Sequence, residues 1–335
     1  MAIERLVVIG ASSGGIDALR QLMGALPGDV GAPICVVSHT GPESPAVLDT
    51  ILARAGTLPT SMARNGERLR NGHVFVAPPD HHLLIEPGVV CLSRGPKENR
   101  FRPAIDPLFR SAAQVYGPRV IGVVLTGNLD DGAAGLWAIR QLGGIAVVED
   151  PATAPYPSMP ANALRRVPDA HVAPLPRLAA LLQQLLATSV HREAVVPSDN
   201  LDIEVRIAKD EPPLHAGVLS LGAASTYACP ECHGALMAVR EADHTRYRCH
   251  TGHAYSTETL LAAVSESIGR ALGAAERALQ ESEMLLRQHA DDSDPDFDRD
   301  RITSLRRQAD HASRQAQAIR TLISERAPVA AERPA

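Results

Sequence analysis

Three side chains of this sequence could together perform acyl transfer. Ser12 stands within Gly10-Ala11-Ser12-Ser13-Gly14-Gly15, after the apolar run 6–9 and before a helical pattern through Leu19, Leu22 and Leu26. A Walker phosphate loop needs a lysine followed by Ser or Thr, and this segment has none. A dinucleotide turn needs glycine where Ser12 stands, because a side chain there would crowd the pyrophosphate. The third reading is G-x-S-x-G on a strand–turn–helix, a nucleophile elbow. It holds a hydroxyl at the carboxyl end of a strand, with helix N–H groups at hand for an oxyanion. An ordinary glycine turn is the plain alternative. A serine hydroxyl is a weak nucleophile at neutral pH and needs a base and a group to orient that base. His39 directly follows the apolar run ICVVS, and Asp131 lies in VVLTGNLDDGAAG, past another run and ahead of a helical stretch. Singly, His39 reads as a loop histidine and Asp131 as a helix cap, a task Asp130 could equally fill. Together, at the ends of three strands, they argue for a Ser-His-Asp relay.

A second constellation lies far along the chain. CPECHGAL and YRCHTGHAY set Cys229, Cys232, Cys249 and His253 in a C-x2-C, spacer, C-x3-H pattern. Tetrahedral Zn²⁺ takes four such sulfur and nitrogen ligands, and a closed set of four implies a structural ion. So small a unit promises little apolar core of its own, which favours a metal as stabiliser. Inert thiols are the plain alternative, and His250 is the rival fourth ligand, although it bites less comfortably beside Cys249.

These residues need elements to position them. Short apolar runs at 6–9, 34–37, 74–77, 120–125 and 145–148 alternate with helical patterns around 47–52, 133–142 and 175–186. That alternation predicts an α/β fold: a doubly wound, mostly parallel sheet with helices on both faces. The 335-residue length calls for further units. We expect a catalytic domain over 1–186, a linker with little structure of its own over 187–226, and the Cys/His unit over 227–255. A helical hairpin over 256–327 follows from Leu260, Val264, Ile268 and Leu272, then Ile302, Leu305, Ala309 and Ala312, with an acidic break at 291–298. The net charge of −5 argues against nucleic-acid binding. No run approaches the ~20 apolar residues that span a bilayer, so membrane insertion is not expected. No signal-peptide pattern is visible, and five cysteines with one C-x2-C suit a reducing cytoplasm.

IGASSGG, VVSH, VFVAPPDHHLLI, NRFRPAIDPLF and LTGNLDDGAAG, in this order, resemble the catalytic domain of CheB-type chemotaxis protein-glutamate methylesterases over about residues 3–185. The resemblance implies Ser12 as nucleophile, His39 as general base and acid, and Asp131 as the orienting carboxylate, with no cofactor for catalysis. The implied reaction is hydrolysis of glutamate γ-methyl esters on the cytoplasmic helices of chemoreceptors, with deamidation of receptor glutamines as a harder variant. Backbone N–H groups near Ser13 and Asn128 would form the oxyanion hole. Ser13 stands where many members carry threonine, whose hydroxyl helps hold the histidine, and Asn128 where many carry methionine. His82 and Arg102 fall in matched segments and are expected to line the substrate groove, with surface packing as the plain alternative. The order Ser, His, Asp differs from that of α/β-hydrolases, so the relay would be convergent. Many members carry a phosphorylatable receiver ahead of the esterase. This sequence starts just before the first strand, so activation by phosphorylation in cis is not expected. Comparable Cys/His knuckles with helical tails occur on some members without a receiver. The apolar stripe of the hairpin suggests an element that docks receptor helices or a partner regulator, or that self-associates, with mutual burial of the two helices' stripes as the plain alternative. Two alternatives stand beside the esterase: a signalling scaffold working through its knuckle and helices, and an esterase of a non-chemotaxis sensory pathway.

Overall fold

The computed structural model describes residues 3–190, 196–241, 244–294 and 299–325. The apolar runs become the centre of a parallel sheet. Its strands are β1 (Leu6–Ala11), β2 (Ile34–Ser38), β3 (Thr60–Met62) and β4 (Val74–Val76), and, after the hairpin β5 (His82–Glu86) and β6 (Val89–Ser93), β7 (Val120–Val124), β8 (Ile145–Glu149) and β9 (His171–Ala173). The order across the sheet is β3-β4-β2-β1-β7-β8-β9, with parallel pairing throughout. Successive residues of β1 serve opposite cores, as period-two geometry requires. Val7 and Ile9 pack with α1 (Gly15–Ala25) and with α6 (Leu175–Ala187) on one face. Leu6 and Val8 pack with α3 (Ile105–Tyr116) and α4 (Ala133–Gln141) on the other. The short α2 (Leu48–Ala53) and α5 (Ser158–Arg166) complete the two layers. Strand order reverses at β1, whose neighbours β2 and β7 lie on either side, so the carboxyl ends of these three strands open one crevice.

The expected linker is a departure. Residues 199–208 form α7 (Asp199–Ala208), capped by Ser198, whose hydroxyl accepts the Leu201 N–H. α7 buries Leu201 and Val205 against the core of the α3 face. Polar and proline-bearing composition masks the 3–4 spacing of Leu201, Val205 and Ala208, and buried Glu204 reads as a surface residue until its partners are known. A short α8 (Pro213–Ala216) follows, while 191–195 lie outside the described residues. The Cys/His segment is an antiparallel sheet of β10 (Ala223–Ala228), β11 (Ala235–Glu241), β12 (His244–Cys249) and β13 (Ala254–Ser256). It shares a small apolar core with the segment before it, in which Ile207, Val218 and Leu221 meet Val239.

A buried ion network joins this sheet to the parallel one. Glu98 accepts from Arg110 of α3 and, at 2.8 Å, from Arg248 of β12. Glu204 of α7 accepts from Arg246 at 2.5 Å and Arg248 at 3.2 Å. Burial opposes ionisation of Glu98 and Glu204, but the surrounding guanidinium groups outweigh it and hold both carboxyls below their usual range.

One compact body runs to Leu260 and a second begins at Leu261. The second comprises the rest of α9 (Thr257–Asp291) and α10 (Arg299–Glu325). Glu276 pairs with Arg320, and Asp291 with Arg306, so the two helices run antiparallel. Ala309, Ala312 and Ala316 line their buried seam. No described helix is long and apolar enough to cross a membrane.

Replacing Arg248 with Met should cost about 3–5 kcal/mol, because Glu98 and Glu204 each keep a buried charge and lose a partner; urea unfolding measures it. On α3, Asp106 accepts the Gly135 N–H at 2.6 Å, and burial, then the Asp131 carboxylate, push its carboxyl up to about 7. The folded state therefore keeps this proton between about pH 4 and 7 while the unfolded chain loses it, and stability falls as pH rises through that window. Asp106→Asn should flatten that fall, read as unfolding free energy from pH 5 to 8.

Candidate active site

Ser12 follows β1 directly. Its N–H donates to the Thr126 carbonyl at 3.0 Å, and its carbonyl accepts from the Gly15 N–H at 2.8 Å, closing the turn into α1. Gly14 supplies the left-handed residue at φ +71°. Gly127 must also lack a side chain: a Cβ there would lie 2.8 Å from the Ser12 Cβ and 2.7 Å from the Met159 thioether.

His39 follows β2, and its N–H donates to Ala11 O at 3.2 Å. Its Nδ1 lies 3.0 Å from Ser12 Oγ, and its Nε2 2.7 Å from Asp131 Oδ2. The His39 and Asp131 side chains are only 4% and 2% exposed, so solvent does not compete for the bond between them. With Asp131 ionised, Nε2 carries the proton and donates to the carboxylate, leaving the Nδ1 lone pair to accept from the serine hydroxyl. The Phe101 ring stacks on the imidazole at 3.8 Å and 6°.

Asp131 is buried but well supplied with donors. Oδ2 also accepts the Ile105 N–H at 2.7 Å, while Oδ1 accepts from Asn99 Nδ2 at 2.8 Å and the Gly132 N–H at 3.0 Å. Burial pushes this carboxyl up, but the His39 hydrogen bond and charge, then Ile105 and Asn99, prevail and hold it below the usual carboxylate range. Asp130 turns elsewhere and accepts the Ser256 hydroxyl at 2.7 Å.

Ser13 and Asn128 also meet: Asn128 Nδ2 donates to Ser13 Oγ at 3.0 Å, tying the β1 and β7 loops together. The groove expectation for His82 is corrected. It is fully buried, with Nε2 donating to Pro96 O at 3.0 Å and Nδ1 accepting the Ala104 N–H at 3.3 Å. The LLI run after it pulls it inside. Arg102 is committed to Asp80 and to the Arg94 and Gly95 carbonyls. Asn99, Phe101 and the Ile105 N–H carry no sequence signature; only their place in NRFRPAIDPLF could have marked them.

Within the antiparallel sheet, the donor atoms of Cys229, Cys232, Cys249 and His253 all lie within 4.8 Å of one another. Cys232 and Cys249 sulfurs are 3.5 Å apart, and His253 Nδ1 is 3.7 Å and 3.5 Å from the sulfurs of Cys229 and Cys249. Thiolates bound tetrahedrally at about 2.3 Å stand about 3.8 Å apart, so this cluster could hold a metal. His250 is exposed, and its ring covers Gly234 instead.

The first half of the chain is similar to known proteins. A candidate protein-glutamate methylesterase/protein-glutamine glutaminase of Leptospira interrogans is 41% identical over 180 residues, covering 53% of this chain and 93% of its own. A protein-glutamate methylesterase/protein-glutamine glutaminase of Pseudomonas aeruginosa is 37% identical over 191 residues, 56% of this chain and 54% of its own. The crystal structure of the Thermotoga maritima CheB methylesterase catalytic domain matches with a TM-score of 0.52 and 33% identity, covering 54% of this chain and 98% of that one. With the family description "CheB methylesterase" matching residues 7–182, on the sheet whose strand ends carry Ser12, His39 and Asp131, the chain belongs to the CheB methylesterase family.

Proposed function

We propose that this chain is a cytoplasmic serine esterase that hydrolyses glutamate γ-methyl esters on chemoreceptor proteins and deamidates receptor glutamines by the same acyl transfer. The reading rests on the hydrogen-bond chain Ser12 Oγ to His39 Nδ1 at 3.0 Å and His39 Nε2 to Asp131 at 2.7 Å. Ser12 Oγ attacks the ester carbonyl while Nδ1 of His39 takes its proton. The tetrahedral oxyanion is met by backbone N–H groups at Ser13 and Asn128. His39 returns the proton to the methoxide, methanol leaves, and a glutamyl ester on Ser12 remains. Water then attacks this ester, gives a proton to Nδ1, and the Ser12 hydroxyl is restored as glutamate departs. Asp131 stays ionised and stabilises the imidazolium formed in both steps. His82 has no part in this scheme, and Arg102 braces the loop beside it.

We further propose a structural zinc ion on Cys229, Cys232, Cys249 and His253. It would close a sheet whose own apolar core is small. α9 and α10 serve as a docking or self-association element, consistent with Leu285 at 66% and Met284 at 69% exposure.

Ser12→Ala should abolish methanol release from methyl-labelled receptor membranes while the thermal midpoint stays near wild type. Undiminished turnover would refute the nucleophile assignment. Protein purified without chelator should contain stoichiometric zinc, and stripping it should lower the unfolding midpoint; a metal-free preparation of equal stability would exclude the ion.

A further inference from the structure

We propose that Asn99 is a positioning residue for Asp131, held in register by the sheet that carries the Cys/His cluster. The proposal rests on the esterase reading above. Residues 98–101 make a tight turn, with Phe101 N–H donating to Glu98 O at 2.9 Å and Glu98 N–H to Phe101 O at 3.2 Å. Its two central residues, Asn99 and Arg100, have φ of +50° and +77°, a left-handed conformation that asparagine tolerates well. This turn faces two structures at once. Phe101 stacks on His39 and Asn99 reaches Asp131, so it touches two members of the relay. On its other side Asn99 N–H donates to Ala254 O at 2.8 Å, pairing the segment with the edge strand β13. Glu98 binds Arg248, which in turn donates to the Gly252 carbonyl at 2.9 Å, within the loop between Cys249 and His253.

The Asn99 amide uses its full bonding capacity. Nδ2 donates to Asp131 at 2.8 Å and to Asp106 at 2.9 Å. Oδ1 accepts the Ser256 N–H and the Thr259 hydroxyl, both at 3.2 Å. A flipped amide would aim its oxygen at the Asp131 carboxylate and an N–H at the Ser256 N–H, so only one orientation satisfies these partners. The acceptor half of that choice is made by β13 and the first turn of α9. The end of the Cys/His sheet and the helix it leads into thus decide which way the Asn99 donor to Asp131 points. Losing that donor would leave Oδ1 of Asp131 with backbone donors alone and loosen its alignment with Nε2, slowing acyl transfer without touching the substrate.

Asn99→Gly is the discriminating variant, because glycine accepts the positive φ and only the amide is lost. The readout is labelling of Ser12 by a fluorophosphonate probe, resolved into maximal rate and half-saturating concentration. A hydrogen bond to a charged group supports a loss of roughly ten- to a hundred-fold in maximal rate, with half-saturation unchanged. Thr259→Val removes one donor to Oδ1 and should slow labelling several-fold in wild type, and add nothing in the Asn99→Gly background. Wild-type labelling rates in Asn99→Gly, or losses that multiply in the double variant, overturn the proposal. If Asn99→Gly does not fold, judged by near-ultraviolet circular dichroism, Thr259→Val alone decides: an unchanged maximal rate overturns it. Labelling that survives Ser12→Ala instead sinks the esterase reading, and this proposal falls with it.

Discussion

An ionised carboxylate buried away from water costs several kcal/mol unless protein donors take over from solvent. Asp131 is that group, and its donors come from every side: His39 beyond β2, Ile105 at the head of α3, Gly132 at the head of α4, and Asn99 in the turn ahead of α3. α3 has no capping side chain of its own, so Asp131 caps it from another element and gains the positive end of its dipole. One charge thereby fixes the relative placement of two helices, a loop and an imidazole tautomer.

The sheet makes this convergence feasible through close approach. Gly10 in β1 lies under Ile105, where a Cβ would come within 2.3 Å of that side chain. Gly122 in β7 plays the same part under Leu136 and Ile139 of α4. Bare backbone at these positions lets α3 and α4 settle onto the sheet, deep enough for their first N–H groups to reach the carboxylate that follows β7. Ser12 and His39 then need only the strand ends they already occupy. The crevice follows from strand order, and the chemistry from what the helices can reach.

The parallel sheet is legible in the sequence because buried strands leave unbroken apolar runs, and Ser12, His39 and Asp131 because each directly follows or soon follows one. α3 is not. Ten of its twelve residues are buried, including Asp106, Arg110 and Ser111, so it lacks the polar face that marks a surface helix. α7 hides for a related reason: its buried Glu204 is satisfied by arginines some forty residues later, which spacing cannot announce. His82 misleads in the opposite direction, since a histidine next to a motif attracts a functional reading that its neighbours Leu83, Leu84 and Ile85 overrule. Asn99 and Phe101 act through partners distant in sequence, and no local period records them.

The network around Arg110 and Glu204 alters what counts as the enzyme. The family match ends at residue 182, yet α3 keeps its guanidinium against α7 and its apolar side under Leu201 and Val205. An excised piece ending at that boundary would bare the seam to water, taking Glu204 away from Arg110 and the cover from the outer flank of α3. In this protein the region shared with its relatives and the residues onward to Leu260 make one compact body, so α7 is part of its interior rather than an attachment.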